Sequence, residues 1–125
     1  MLRSALLLLL SISAAHAQNV VVYDDALGPG FQNWSWATVN LATSNPVHSG
    51  NFSISFEPDG FQGLYFSAPG NARSFADFTG LRFWVHGGAG NAQNIRLTFQ
   101  LGQTVVFERP LAQIISGGSI VAGQW

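Results

Sequence analysis

Three tryptophans stand in polar company in this chain: Trp34 and Trp36 in the run Phe-Gln-Asn-Trp-Ser-Trp, and Trp84 between Arg82 and His86 at alternate positions. An aromatic face beside planar donors and acceptors suits a sugar, whose C–H face stacks on the ring while its hydroxyls meet guanidinium, imidazole or amide groups. Acid chemistry is scarcer. The carboxylates are Asp24, Asp25, Glu57, Asp59, Asp77 and Glu108. Glu57 and Asp59 fall in one turn, no histidine cluster has metal-ligand spacing, and no nucleophile elbow occurs. A glycosidase pair is set by distance in space, which spacing along the chain leaves open. The residues point away from catalysis within this segment and imply no cofactor. Asp24-Asp25 offers oxygens toward a structural calcium ion, but calcium takes about six to eight. An aspartate turn ahead of Gly28-Pro29-Gly30 accounts for the pair with less.

Those residues need a frame, and the chain's bounds limit what it is. Arg3, the apolar run at 5–12 and the small-residue pattern Ala15-His16-Ala17 make a secretory signal over residues 1–17. The apolar run falls well short of the roughly 20 residues that span a bilayer, so the expectation is a secreted, extracellular protein, not embedded in a membrane once the signal is cleaved. Residues 18–125 then form one ordinary domain. With no cysteine in the chain, apolar packing has to hold it, whereas many small secreted domains rely on disulfides. Removing Arg3 leaves four arginines and no lysine against six acids, a net charge of about −2. No basic stripe exists to displace counterions, which excludes nucleic acid as a natural partner. An aromatic content of 13% against 9% charged residues excludes a disordered chain.

The pattern of the domain is that of short alternating runs separated by glycine, proline and asparagine, with no sustained 3.6-residue period. Strands are expected at 20–23, 35–41, 51–57, 63–67, 81–86, 94–100 and 104–108, with a weaker eighth at 114–121. Such spacing predicts an all-β antiparallel sandwich or barrel. Glu57-Pro58-Asp59-Gly60 fits a type I turn. The glycines of His-Gly-Gly-Ala-Gly-Asn at 86–91 suit a connection between neighbouring strands, and without a following Gly-Lys-Ser/Thr they do not make a phosphate loop. The final run, Ser-Ile-Val-Ala-Gly-Gln-Trp, reads as a strand beginning at Trp125. The expectation is a fold lacking its closing strand or strands, with an unpaired edge.

Strand parity assigns faces. Leu81, Phe83 and Val85 share one side of the fifth strand, and Arg82, Trp84 and His86 the other. Pairing it with the sixth sets Arg82, Trp84 and His86 beside Arg96, Thr98 and Gln100. That face either binds a glycan or is covered by a loop or second sheet, with polar groups around a shielded indole. In the second strand Ser35, Ala37, Val39 and Leu41 oppose Trp34, Trp36, Thr38 and Asn40. A regular strand turns both indoles away from the core as a two-ring platform, about 7 Å apart. A bulge at Ser35 would reverse this, and a covering loop would hide it, since each indole has roughly 200 Å² to bury. Cover is weighed slightly ahead of an open platform.

Four segments together carry a likeness: "VYDDALGPGFQNWSW", "NPVHSGNFSISFEPDGFQGLYFSA", "FTGLRFWVHGGAGNAQNIRLTFQ" and "VAGQW". They resemble secreted bacterial domains related to carbohydrate-binding modules, which are similar to galactose-binding-like jelly rolls and in some proteins adjoin glycoside hydrolase domains. The resemblance implies a jelly-roll β-sandwich over 18–125, and a polysaccharide or glycan partner. In such domains a strand after the "GQW" segment completes the sheet, and this sequence stops before it. The expected contact residues are Trp84, Arg82, His86, Arg96, Gln100, Trp34 and Trp36. Two further readings stay open: a structural or adhesive module of a larger extracellular protein, and the accessory front of a glycoside hydrolase that continues beyond Trp125.

Overall fold

The computed structural model describes residues 19–71, 73–90 and 93–125; the expected signal at 1–17 lies outside them. Within them the protein is all-β, with eight strands in four two-stranded antiparallel ladders and two single-turn 3-10 helices. The strands are β1 (Tyr23–Asp24), β2 (Ala26–Leu27), β3 (Gln32–Asn33), β4 (Thr38–Thr43), β5 (Ser53–Glu57), β6 (Phe66–Ser67), β7 (Arg96–Leu101) and β8 (Thr104–Pro110). β1 pairs with β2, β3 with β6, β4 with β5 and β7 with β8.

The two longer ladders sit where alternation is cleanest. β4 runs exposed, half-buried, exposed along Thr-Val-Asn-Leu-Ala-Thr and pairs Val39 with Phe56 and Thr38 with Glu57. β7 and β8 form a hairpin around Gly102-Gln103, with Phe99 opposite Phe107 and a register shift immediately after. Their rings meet at 5.4 Å between centroids. The hairpin delivers Leu111 at the start of the second 3-10 turn, where its N–H donates to the Ile95 carbonyl. Leu111 and Ile120, each 5% exposed, are the buried hydrophobic side chains among the described residues. Around them Leu97, Phe99, Phe107, Ile115 and Val85 are half-buried.

Three expectations change. Residues 81–84 are all exposed and only Val85 and His86 half-buried, so the expected alternation is absent; the segment forms no ladder among the described residues, the pairing with 94–100 does not occur and β7 takes β8 alone. Alternation in the sequence favours an extended backbone, whereas a ladder also needs a partner edge. Between 81–85 and the hairpin lies an apolar cleft of about 560 Å³, bordered by Leu81, Phe83, Leu97, Phe99, Phe107 and Ile120 among others. The expected strand at 114–121 is a succession of turns and bends, in keeping with its Ser-Gly-Gly-Ser centre. The turn after β5 also closes later than its proline suggested: the Gln62 N–H donates to the Asp59 carbonyl at 3.1 Å, which places Gly60 and Phe61 at its centre.

One polar anchor ties the first hairpin to the loop before β5. Asp25, between β1 and β2 at φ 58, accepts from the backbone N–H of Phe52 (2.7 Å) and of Asn51 (2.7 and 2.9 Å), and from the Asn51 side-chain amide (2.8 Å). The Phe52 N–H first, then the Asn51 amide, hold its carboxyl below the usual carboxylate range. Both oxygens therefore face donors, which is the environment of a turn anchor rather than of a cation ligand. Nearby the Tyr23 hydroxyl donates to the Leu41 carbonyl at 2.7 Å. Partial burial, helped by the charges of Asp25 and Asp24, pushes the phenol's pKa up.

Candidate functional site

The first aromatic surface grows from the continuation of the β3–β6 ladder. Beyond the pairs Gln32–Ser67 and Asn33–Phe66, the Trp34 N–H donates to the Tyr65 carbonyl (2.9 Å) and the Trp36 N–H to the Gly63 carbonyl (3.1 Å). Between them the Ser35 hydroxyl accepts from the Tyr65 N–H at 2.8 Å. The chain keeps its alternation: Ser35, Ala37, Val39 and Leu41 are half-buried while Trp34, Trp36, Thr38 and Asn40 are exposed. The bulge that would have reversed the faces is absent from this stretch.

The expected cover over the indoles is also absent among the described residues. Trp34 is 49% exposed and Trp36 60%. Tyr65 stands edge-on to both, with centroids 6.0 Å and 6.3 Å away and planes at 74° and 70°. The Asp59–Gln62 turn instead lies beside Trp36, bonded to it through the Phe61 carbonyl. The polar edges of both indoles are engaged: Trp34 Nε1–H donates to Gln32 Oε1 at 3.0 Å, and Trp36 Nε1–H to the Phe61 carbonyl at 2.8 Å. Each bond restrains an indole's rotation, so the protein itself holds both rings in place. Gly63 makes room for the second: a β-carbon there would come within 2.7 Å of Trp36 Cη2 and Cζ2.

The second surface surrounds Trp84, and its partners differ from those expected. The His48 imidazole, from the loop between β4 and β5, lies on the indole at 3.9 Å with planes 14° apart. Trp125 stands edge-on to His48 (5.4 Å, 79°) and tilts against His86 (5.0 Å, 56°). His86 Nδ1 accepts from the Gly88 N–H at 3.0 Å, which in the neutral ring leaves the proton on Nε2. Trp84 is still 61% exposed. Arg82 and Trp84 both border the apolar cleft.

Arg96 and Gln100 do not join this group through a shared ladder. Arg96 lies in β7 and is ion-paired with Glu108 of β8 (Nη2–Oε1 2.6 Å), with a second contact from Nε at 2.9 Å. Thr98 Oγ1 reaches the other Glu108 oxygen at 3.5 Å. Gln100 is exposed near the hairpin's turn. Three residues that sequence reasoning passed over belong to these surfaces: Tyr65, His48 and Trp125. Tyr65 had a signal, since a ladder between the second and fourth expected strands sets it opposite Trp34. His48 had none, because its contact depends on the path of an irregular loop.

Along the chain, the charges nearest the first surface are of one sign. No arginine or lysine occurs between residues 4 and 72, while Glu57 and Asp59 flank the turn that carries Phe61. Among the described residues no group of three or more His, Cys, Asp or Glu side chains could hold a metal ion. No described helix is long and apolar enough to cross a membrane.

Over 109 residues, 86% of this chain, the sequence is 28% identical to an endoglucanase of Dictyostelium discoideum. The matched segment is 15% of that protein's length. No family model and no solved structure matches the chain.

Proposed function

We propose that the protein is a secreted, non-catalytic carbohydrate-binding domain, residues 18–125, of galactose-binding-like jelly-roll type. The observation that carries this reading is the Trp34–Tyr65–Trp36 surface. It has two open indoles on the extended segment between β3 and β4, with Tyr65 between them and both ring N–H groups engaged by the protein. Ring faces presented in this way offer a stacking surface for the apolar side of sugar rings. The relative's name supports a carbohydrate-related role, and its much greater length supports a binding unit within a larger protein. Trp84, with Arg82 and the Nε2–H of His86, forms a second contact area backed by His48. Arg96 and Gln100 lie apart on the β7–β8 hairpin and contribute less.

The test is a panel of soluble and insoluble polysaccharides, read by retention and by tryptophan fluorescence. Trp36→Ala and Trp34→Ala should each weaken binding by about 2 kcal/mol, roughly thirtyfold, as truncation of a central aromatic anchor does. A folded protein retained on no glycan would sink the reading. In that case the open cleft beside residues 81–85, with its unpaired backbone, favours a structural or adhesive module.

A further inference from the structure

Phe61 is the most exposed of the large hydrophobic side chains described, at 103%, and it is also one of two non-glycine residues with positive φ, at 63°. The other, Asp25, is a residue type that tolerates this region. A phenylalanine there is a genuine outlier, and a glycine stands one position earlier, at 60, without using the left-handed conformation. The turn therefore places strain on an aromatic residue and aims its ring into solvent. Strain of this kind persists where the surroundings over-determine it and is found most often at functional positions.

The surroundings do over-determine it. The Phe61 carbonyl receives the Trp36 indole N–H at 2.8 Å. The turn is closed from both sides, by the Gln62 N–H to the Asp59 carbonyl at 3.1 Å and by the Asp59 N–H to Gln62 Oε1 at 3.0 Å. Trp36 and the Phe61 turn thus form one unit. The ladder sets Trp34 opposite Tyr65 and Trp36 opposite Gly63, and Phe61 lies in the turn two residues before Gly63. Trp34 and Trp36 are one two-residue step apart, roughly 7 Å, and the Trp36 indole bond ties the Phe61 turn to the end of that row. Row and turn together are longer than a single sugar ring. Its only nearby formal charges along the chain, Glu57 and Asp59, are negative, which opposes uronate or sulfated chains.

We infer that Phe61 is the third ring of this surface, and that the surface takes several consecutive rings of a neutral, extended polysaccharide. The inference rests on the glycan-binding reading above and adds a residue, a length and a charge class to it.

The experiment uses the full chain and two variants, Phe61→Gly and Phe61→Asn, both compatible with positive φ, so that the ring is lost and the turn kept. Neutral gluco-, xylo- and manno-oligosaccharides from disaccharide to hexasaccharide are titrated by tryptophan fluorescence, with oligogalacturonates as the anionic counterpart. The expected result is parent affinity rising with length, and a loss in both variants that widens with length to about fivefold for the hexasaccharide. Oligogalacturonates should bind at least tenfold more weakly than the best neutral series. Variants that match the parent at every length, while Trp36→Ala loses binding, overturn the role of Phe61 and leave the glycan reading standing. Tighter binding of oligogalacturonates overturns the charge class. A folded parent that binds none of these sugars overturns both the inference and the reading beneath it.

Discussion

Gly63→Ala tests the platform without touching a ring. The added β-carbon would lie 2.7 Å from two atoms of the Trp36 indole, whereas carbon pairs settle at about 3.5–4.0 Å. The indole must therefore move by about 1 Å. A displacement of that size carries Trp36 Nε1 from 2.8 Å to the limit of hydrogen bonding with the Phe61 carbonyl, and the lost bond costs about 1 kcal/mol. Gly63 is outside the left-handed region, so alanine fits its backbone and returns about 0.4–1 kcal/mol by restricting the unfolded chain. Net stability should change by less than about 1 kcal/mol, while a misplaced ring should weaken glycan binding by roughly fivefold, about half the free energy of losing the ring altogether. The assay pairs urea denaturation with a fluorescence titration. Adding Trp36→Ala to Gly63→Ala should cost little more than Trp36→Ala alone, because both act through one side chain. A folded Gly63→Ala protein that binds within twofold of the parent would refute Trp36 as a ligand contact.

Four further outcomes follow from the same geometry. Phe61→Gly should leave stability unchanged or raise it by up to about 1 kcal/mol, since relief of the left-handed strain outweighs the added freedom of the unfolded chain; thermal melting reads it. Asp25 has a depressed folded pKa, so its contribution is complete above the unfolded value of about 3.9 and is lost as pH falls through the lower folded value. Asp25→Asn should be less stable at neutral pH and flatter in its acid dependence, measured as urea midpoints across the acid range. Tyr23→Phe removes the bond to the Leu41 carbonyl and should cost about 1 kcal/mol in denaturant unfolding. Arg96→Ala should cost under about 1 kcal/mol despite its short ion pair, because both partners are substantially exposed.

Much of the first surface was legible in the sequence. One oily and one polar side along residues 34–41 is a statement about period two, and the structure keeps it residue for residue. Whether anything covers the outer side is a long-range matter, decided by where the chain after β5 travels, and parity is silent on it. The same limit explains residues 81–86. Leu81, Phe83 and Val85 alternate in the sequence as a strand should, yet the segment joins no ladder among the described residues, so Arg82 and Trp84 do not share one with Arg96 and Gln100. Glu108 claims Arg96 instead, a cross-hairpin pairing visible only once the β7–β8 register is known. Pro58 marked a turn correctly but not its centre. Asp59 and Gln62 close it through reciprocal bonds, and the left-handed position falls on Phe61 instead of Gly60.

The thin interior has a thermodynamic consequence. With Leu111 and Ile120 alone buried among the described hydrophobic side chains, each still 5% exposed, and the cleft beside them open, unfolding brings little new apolar surface into water. Both the heat-capacity increment and the denaturant m-value scale with that surface. Each should fall below what is usual for a domain of this length, giving a broad melting transition, a flat stability curve and little tendency to denature in the cold.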